Sequence, residues 1–171
     1  MIGVYDVLTW LKRMPVYHEL FHHGYCGKLD SKPDKALGVY PLVQRGKQPR
    51  RAYGALESYE RVGISLLIHY NKNMEQSQHA ACKLFEFLHT PLPWSDLDRI
   101  TDTRLDAEYP GEDIPSCEVH YPNIDGMTVR RIKHINLLVP EPVFVDTDDF
   151  GVYEFVIEFE LFVGKEIENH V

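Results

Sequence analysis

The hydrophobic positions near the start of the chain repeat at helical spacing. Val4, Leu8 and Leu11 occur four and then three residues apart, which is typical of the buried face of a helix. This pattern predicts a helix over residues 2–14. Pro15 follows its last turn, and a proline in this position is expected to end it.

A second helix is predicted over residues 74–89. Asn73 is a favourable N-cap residue, and Gln76 stands three residues later, where a capping box places its second member. The face expected to turn inward carries Met74, Ala81, Leu84, Phe85 and Leu88.

Other segments alternate between two kinds of side chain, as strands do when one face is buried. The alternation is clearest over residues 61–70 and again over residues 153–163. The second of these is the return arm of a predicted hairpin over residues 142–164, whose turn at 146–151 is rich in aspartate. Further strands are predicted over residues 16–26, 36–43 and 128–139.

The predicted order is helix, strands, helix, strands, and this order indicates an α+β fold. We expect two helices packed on one face of a mainly antiparallel sheet, with a C-terminal β-hairpin. The length of 171 residues fits a single domain over residues 1–171. Residues 94–126 are rich in acidic residues and lack a clear period, so we expect them to form a surface insertion or a long irregular connection.

The charge balance narrows the classes of function. The chain has 18 Lys and Arg against 26 Asp and Glu, a net charge of -8. A general nucleic-acid binder normally has the opposite balance, because it gains affinity by neutralising phosphates. No segment reaches the ~18 apolar residues of a membrane helix, and the N-terminus lacks the pattern of a secretion signal. With three widely spaced cysteines, the expectation is free thiols in a reducing cytoplasm and no membrane partner.

Histidines cluster within the predicted strand over residues 16–26. His18, His22 and His23, with Cys26 nearby, are residue types that bind zinc. On a strand, at ~3.3 Å per residue, His18 and Cys26 would stand about 26 Å apart, too far for one ion unless the strand bends. The three histidines are therefore weak metal candidates. An alternative function that would use them is a stand-alone domain that binds a small ligand or a metal.

The sequence shows no catalytic constellation. Ser65 and His69 would stand about 13 Å apart on one strand, and no G-x-S-x-G turn presents a nucleophile. Cys82 lies in a predicted helix with His79, an arrangement more typical of packing than of catalysis. We therefore expect no enzyme activity and no cofactor.

Two segments carry opposite charge. Complementary patches on one chain suit a head-to-tail interface between subunits, which closes into a ring when the rotation permits. The alternatives for the basic segment are a phosphate or DNA contact and a solvated loop. The candidate interface residues are Arg45, Lys47, Arg50 and Arg51 on the basic side, and Asp96, Asp98, Asp102 and Asp106 on the acidic side.

Four stretches of the chain together resemble phage minor capsid proteins of the tail-terminator type, from tailed phages and prophages of Gram-positive bacteria. The resemblance covers nearly the full length but does not extend to residues 94–126. The stretches are L-K-R-M-P at the end of the first helix, D-K-A-L-G-V-Y (34–40), S-L-L-I-H-Y-N-K-N (65–73) and P-V-F-V-D-T-D-D-F-G-V-Y-E-F-V-I-E-F-E-L (142–161).

The resemblance implies a virion structural protein that acts through protein–protein contacts. Such proteins form a ring, usually a hexamer, which caps the tail tube at its head-proximal end and presents a surface to the head connector. The implied partners are further copies of the chain, the tail tube protein and the head connector protein. The implied location is the virion tail, after synthesis in the cytoplasm of the bacterial host.

A ring of this type lets DNA pass without binding it specifically. A negatively charged lumen would repel the phosphates of DNA at short range, because salt at physiological concentration screens charges beyond ~8 Å. We expect Asp146, Asp148 and Asp149 in the hairpin turn, or acids within 94–113, to face that lumen. The three turn acids also begin like a calcium loop, but no glutamate closes it at the required spacing.

Overall fold

A computed structural model describes residues 2–27, 33–42, 59–90, 118–123 and 126–164. The helices in these ranges are α1 (Val4–Lys12), α2 (Pro15–Leu20) and α3 (Met74–His89). The strands are β1 (His23–Cys26), β2 (Ala36–Pro41), β3 (Tyr59–His69), β4 (Glu118–Asn123), β5 (Gly126–Leu137), β6 (Val143–Thr147) and β7 (Tyr153–Gly164).

The strands form one sheet in the order β1-β2-β3-β7-β5-β4, with β6 also paired to β7. The β1–β2 pair is parallel and the other pairs are antiparallel. α3 lies against β3, β5 and β7, while α1 lies against β1, β2 and β4. Because β1 and β4 stand at opposite ends of the strand order, the sheet curls towards α1. The predicted α+β fold and its C-terminal hairpin are confirmed.

β5 and β6 lie one after the other along the same side of β7. β5 pairs with Phe159–Val163 and β6 with Tyr153–Val156, while β3 occupies the whole opposite side of β7. The interruption between β5 and β6 contains Pro140 and Pro142. Proline has no N–H to donate to a strand ladder, so it is accommodated where the pairing is broken.

The core lies between the helices and one face of this sheet. Alternate residues of β3 and β7 are fully buried, as the period of two predicts. Each large aliphatic side chain buried in this way contributes about 1.5–3 kcal/mol to the free energy of unfolding. The largest contributors include Ile64, Leu66 and Ile68 of β3, Ile157, Phe159 and Leu161 of β7, and Trp10, Leu11, Leu84 and Leu88 of the helices.

The start of the chain differs from its prediction. The first helix ends at Lys12, and Pro15 begins α2 instead of ending a helix. Proline is favoured at the first position of a helix because its missing N–H would have no partner there. The predicted strand over residues 16–26 is therefore wrong in its first half, which is helical, and confirmed over His23–Cys26. None of the described helices is long and apolar enough to cross a membrane.

The bounds of α3 agree with the prediction, and its buried face agrees in part. The expected Met74 is 38% exposed, whereas Ser77, Ala80 and Phe87 are buried beside the expected Ala81, Leu84 and Leu88. Asn73 caps the helix as predicted, since its side chain accepts a hydrogen bond from Gln76 N at 3.1 Å. In a capping box the side chain of Gln76 would accept a hydrogen bond from Asn73 N. Here Asn71 Oδ1 accepts that hydrogen bond instead, at 2.9 Å.

Replacing Asn73 by alanine should lower the free energy of unfolding by about 1 kcal/mol, because a helix N–H loses its acceptor. Urea unfolding followed by circular dichroism measures this change. Asn73→Asp is the matched control, since it keeps the acceptor and adds a charge that favours a helix N-terminus. Equal stability of the alanine and aspartate variants would contradict the capping role.

Candidate functional site

A histidine and an aspartate form a buried pair at one end of the sheet. His69 is the last residue of β3, and Asp148 lies in the turn between β6 and β7. His69 Nε2 lies 2.9 Å from Asp148 Oδ2, and the two side chains are 0% and 1% exposed. Buried ionisable groups that lack a nearby opposite charge are costly, so this pairing is a strong local constraint.

Both ring nitrogens of His69 face an acceptor. His69 Nδ1 lies 3.0 Å from the carbonyl oxygen of Pro33, which can only accept a hydrogen bond. The ionised carboxylate of Asp148 can also only accept. Nδ1 therefore donates to Pro33, and Nε2 lies at hydrogen-bond distance from the carboxylate of Asp148.

The carboxylate of Asp148 also organises the hairpin turn. Its Oδ1 accepts hydrogen bonds from Phe150 N at 3.0 Å and from Val152 N at 2.8 Å. Gly151, with φ of +82°, supplies the left-handed conformation that the turn requires. Burial by itself would raise the pKa of Asp148, but the hydrogen bonds from His69, Val152 and Phe150 and the charge of His69 together lower this pKa below its usual value.

The pair lies where three separate stretches of the chain meet. Besides the contact with Pro33, Lys35 N donates to Tyr70 O at 2.6 Å, and Tyr153 N donates to Asn71 O at 3.0 Å. These contacts join the start of β2, the end of β3 and the hairpin turn. Residues of the segments 34–40, 65–73 and 142–161 therefore converge here.

The geometry of the pair suits a structural role better than a catalytic one. A histidine that acts as a general base needs one ring nitrogen free to take a proton from a nucleophile. The two nitrogens of His69 are occupied by Pro33 and Asp148. Ser65 lies four residues away on the same strand, opposite Tyr40 and Glu158, so it does not complete a Ser-His-Asp triad.

The acids of the hairpin turn divide into two kinds. The prediction that Asp148 faces a lumen is wrong, because its side chain is buried and bonded to His69. The sequence pattern marked a turn, but it did not show that one turn acid meets a histidine from another strand. Asp146 and Asp149 are exposed, so their role in a lumen stays a prediction.

The histidines proposed as metal ligands are dispersed. His18 lies on α2, whereas His22 and His23 follow that helix, and all three are exposed. The rings of His22 and His23 have centroids 6.4 Å apart. Across the described ranges, no group of three or more His, Cys, Asp or Glu side chains is arranged to hold a metal ion.

The two described cysteines are not activated thiols. Burial raises the pKa of Cys26. The charge of Lys12 acts to lower this pKa, and the charge of Asp6 acts to raise it. Burial also raises the pKa of Cys82, as do the charges of Glu86 and Glu141. A nucleophilic cysteine needs the opposite shift, because the thiolate is the reactive form.

An open groove of about 640 Å³ lies between the end of α3 and β5. Its apolar lining includes Phe85, Leu88 and Leu137, and its polar lining includes His89 and His134. Sequence patterns did not indicate this groove, since it depends on how far α3 stands from the strand beneath it.

β6 presents apolar side chains to solvent. Val143, Phe144 and Val145 are 45%, 46% and 52% exposed, and Phe150 in the following turn is 72% exposed. Among the described strands, β6 pairs only with β7. We call this surface, Val143–Val145 with Phe150, the β6 edge. The alternation of the hairpin predicted the strand but not its position at the border of the sheet.

The predicted charged interface segments lie outside the described residues. This applies to the basic side, Arg45, Lys47, Arg50 and Arg51, and to the acidic side, Asp96, Asp98, Asp102 and Asp106. Their part in subunit contacts stays a prediction.

Replacing Asp148 by alanine should lower the free energy of unfolding by about 3–5 kcal/mol, because His69 would remain buried without its acceptor. Urea denaturation at neutral pH measures the loss. The matched control is Asp149→Ala, an exposed acid in the same turn, which should change stability by no more than about 0.5 kcal/mol. Similar small effects of both substitutions would show that the pair is not a strong constraint.

The contribution of Asp148 should also depend on pH. Because the pKa of Asp148 is lowered in the folded protein, its stabilisation is present above the unfolded pKa of about 3.9 and is lost as the pH falls through the lower folded value. The difference in unfolding free energy between the wild type and Asp148→Asn should therefore shrink between about pH 5 and pH 3. A difference that stays constant over that range would contradict an ionised Asp148.

Comparison with known proteins leaves the site to be interpreted from its own geometry. The sequence matches no protein-family model and no curated protein.

Proposed function

We propose that the chain is a virion structural protein of the tail-terminator type, which assembles into a ring through protein–protein contacts. The observation that carries the proposal is the exposed β6 edge. In this role the ring would cap the tail tube and join it to the head connector, with DNA passing through without specific binding.

The β6 edge has the character of an interaction surface. Natural proteins usually protect the free edge of a sheet with charges, prolines or bulges, because an exposed apolar edge invites another chain. Three consecutive apolar residues, Val143, Phe144 and Val145, are about half exposed here. Exposure of several large apolar side chains on one short edge strand is typical of a site that a partner covers, although β6 also carries Asp146 and a register shift after Phe144, two features that limit edge pairing.

The buried pair supports a structural role for the stretches that resemble tail-terminator proteins. The stretches meet around His69 and Asp148, whose polar atoms bond to one another and to the backbone. Their common purpose is thus to hold the hairpin turn against the sheet. This arrangement favours a scaffold that presents surfaces over one that carries out chemistry.

The charge of the chain is consistent with a conduit for DNA. Each copy carries a net charge of -8, which a ring would multiply. Exposed acids such as Asp146 and Asp149 would discourage DNA from adhering to the protein at short range.

The alternative of a metal-binding domain that uses the histidine-rich segment has less support. His22 and His23 are neighbours, but no third ligand accompanies them in the part of the chain that the structure covers. Metal analysis of the purified protein tests this alternative. Stoichiometric zinc that is lost in the His22→Ala/His23→Ala variant would favour it over the assembly role.

Native mass spectrometry over a concentration series, with negative-stain images at the highest concentration, tests the ring. We expect closed rings, most simply hexamers, whose population rises with concentration. If the protein stays monomeric, co-assembly with tail tube protein is the deciding measurement. A chain that neither forms rings nor binds the ends of tail tubes would contradict the proposed function.

A further inference from the structure

Besides the β6 edge, the described sheet ends at two strands, β1 and β4. β1 begins the strand order, and among the described strands it pairs only with β2. His23 N and Gly27 N point towards β2, where they donate to Lys35 O and Val39 O. Because alternate residues of a strand direct their backbone groups to opposite sides, those of Gly24 and Cys26 point away from β2. We call this surface, His23–Cys26, the β1 edge.

The β1 edge lies beside a positive charge. A Cβ added to Gly24 would come within 3.0 Å of Lys12 Cε, so the side chain of Lys12 extends over β1. Lys12 is exposed, and the next residue, Arg13, is also an exposed cation. Of the two charged side chains that act on the thiol of Cys26, Lys12 has the larger effect and Asp6 the smaller.

The β6 edge has acidic surroundings. Asp146 is within β6, Glu141 lies shortly before the strand and Asp149 lies in the turn that follows, and all three are exposed. Two β6 edges related by a two-fold axis would bring six carboxylates into one interface, which like-charge repulsion disfavours. A β1 edge offers the β6 edge opposite charge, and also backbone groups that pair with none of the other described strands.

We propose that the β6 edge of one copy pairs with the β1 edge of a second copy, so that the sheet continues from subunit to subunit. The two strands have similar lengths, five residues in β6 and four in β1. Pairing between two different surfaces is a heterologous contact, which produces a ring if the rotation closes and a filament if it does not. The inference rests on the proposed function in that both require self-assembly, but it assigns the contact to these two edges.

A charge-exchange experiment tests the contact. Asp146→Lys alters the β6 edge, and Lys12→Glu alters the β1 edge. Each variant alone should assemble at concentrations about tenfold or more above those of the wild type in low salt, because like charges would face each other. An equimolar mixture should recover wild-type assembly, since alternating copies then present only complementary edges. Sedimentation velocity over a concentration series measures all three samples.

Two further variants make the result specific. Val145→Lys places a charge within the apolar part of the β6 edge and should weaken assembly in high salt as well. Glu75→Lys makes the same change in net charge as Asp146→Lys but lies on α3, so it should assemble like the wild type. Circular dichroism of each variant shows that it is folded, and recovery in the mixture demonstrates the same for the exchanged pair.

The outcomes separate this inference from the proposed function. A wild-type chain that stays monomeric throughout, or a mixture no better than its two components, would overturn the inference. Closed rings that are indifferent to all of these edge substitutions would overturn the inference and leave the ring function standing. Charge-exchange behaviour in open filaments that never bind tail tubes would support the inference and contradict the proposed function.

Discussion

The central position of β7 is the constraint on which the rest of the structure depends. β3 pairs with it through eleven consecutive residues, while β5 and β6 share its other side. Since successive side chains of a strand point to opposite faces, a slip of one residue would move the whole apolar set away from the helices. The pair formed by His69 and Asp148 helps to fix this register at one end, because it joins the turn before β7 to the last residue of β3.

The pair has a different geometry from the His–Asp pairs of hydrolytic sites. A buried aspartate beside a histidine is part of many hydrolytic sites, but there the second ring nitrogen faces a nucleophile. In this protein it faces the carbonyl oxygen of Pro33. Both ring nitrogens therefore face acceptors, and the hydrogen bonds that Asp148 accepts from Phe150 N and Val152 N complete a closed polar network. Such a network favours one arrangement of the hairpin and leaves β6 at the border of the sheet.

The exposed surfaces follow from the same arrangement. The two prolines between β5 and β6 interrupt the strand that runs beside β7, and β6 then continues with apolar side chains facing solvent. At the first strand of the sheet order, β1 is short and lies beside Lys12. Two sheet edges that differ in charge, as the β6 edge and the β1 edge do, have the elements needed for directional self-association.

Local patterns in the sequence determined much of the fold. The alternation in β3 and β7, the N-cap at Asn73 and the aspartate-rich turn are signals contained within a few residues, and they correctly indicated an α+β chain with a C-terminal hairpin. The signals were less reliable where a residue has two uses. A proline can follow the end of one helix or begin another, and at Pro15 the local pattern predicts a strand where α2 lies. Tertiary structure alone decided the partnership of His69 with Asp148, which are 79 residues apart. It also decided that β6 lies at an edge and that Asp148 is buried, because strand order and burial depend on contacts between distant segments that no local period records.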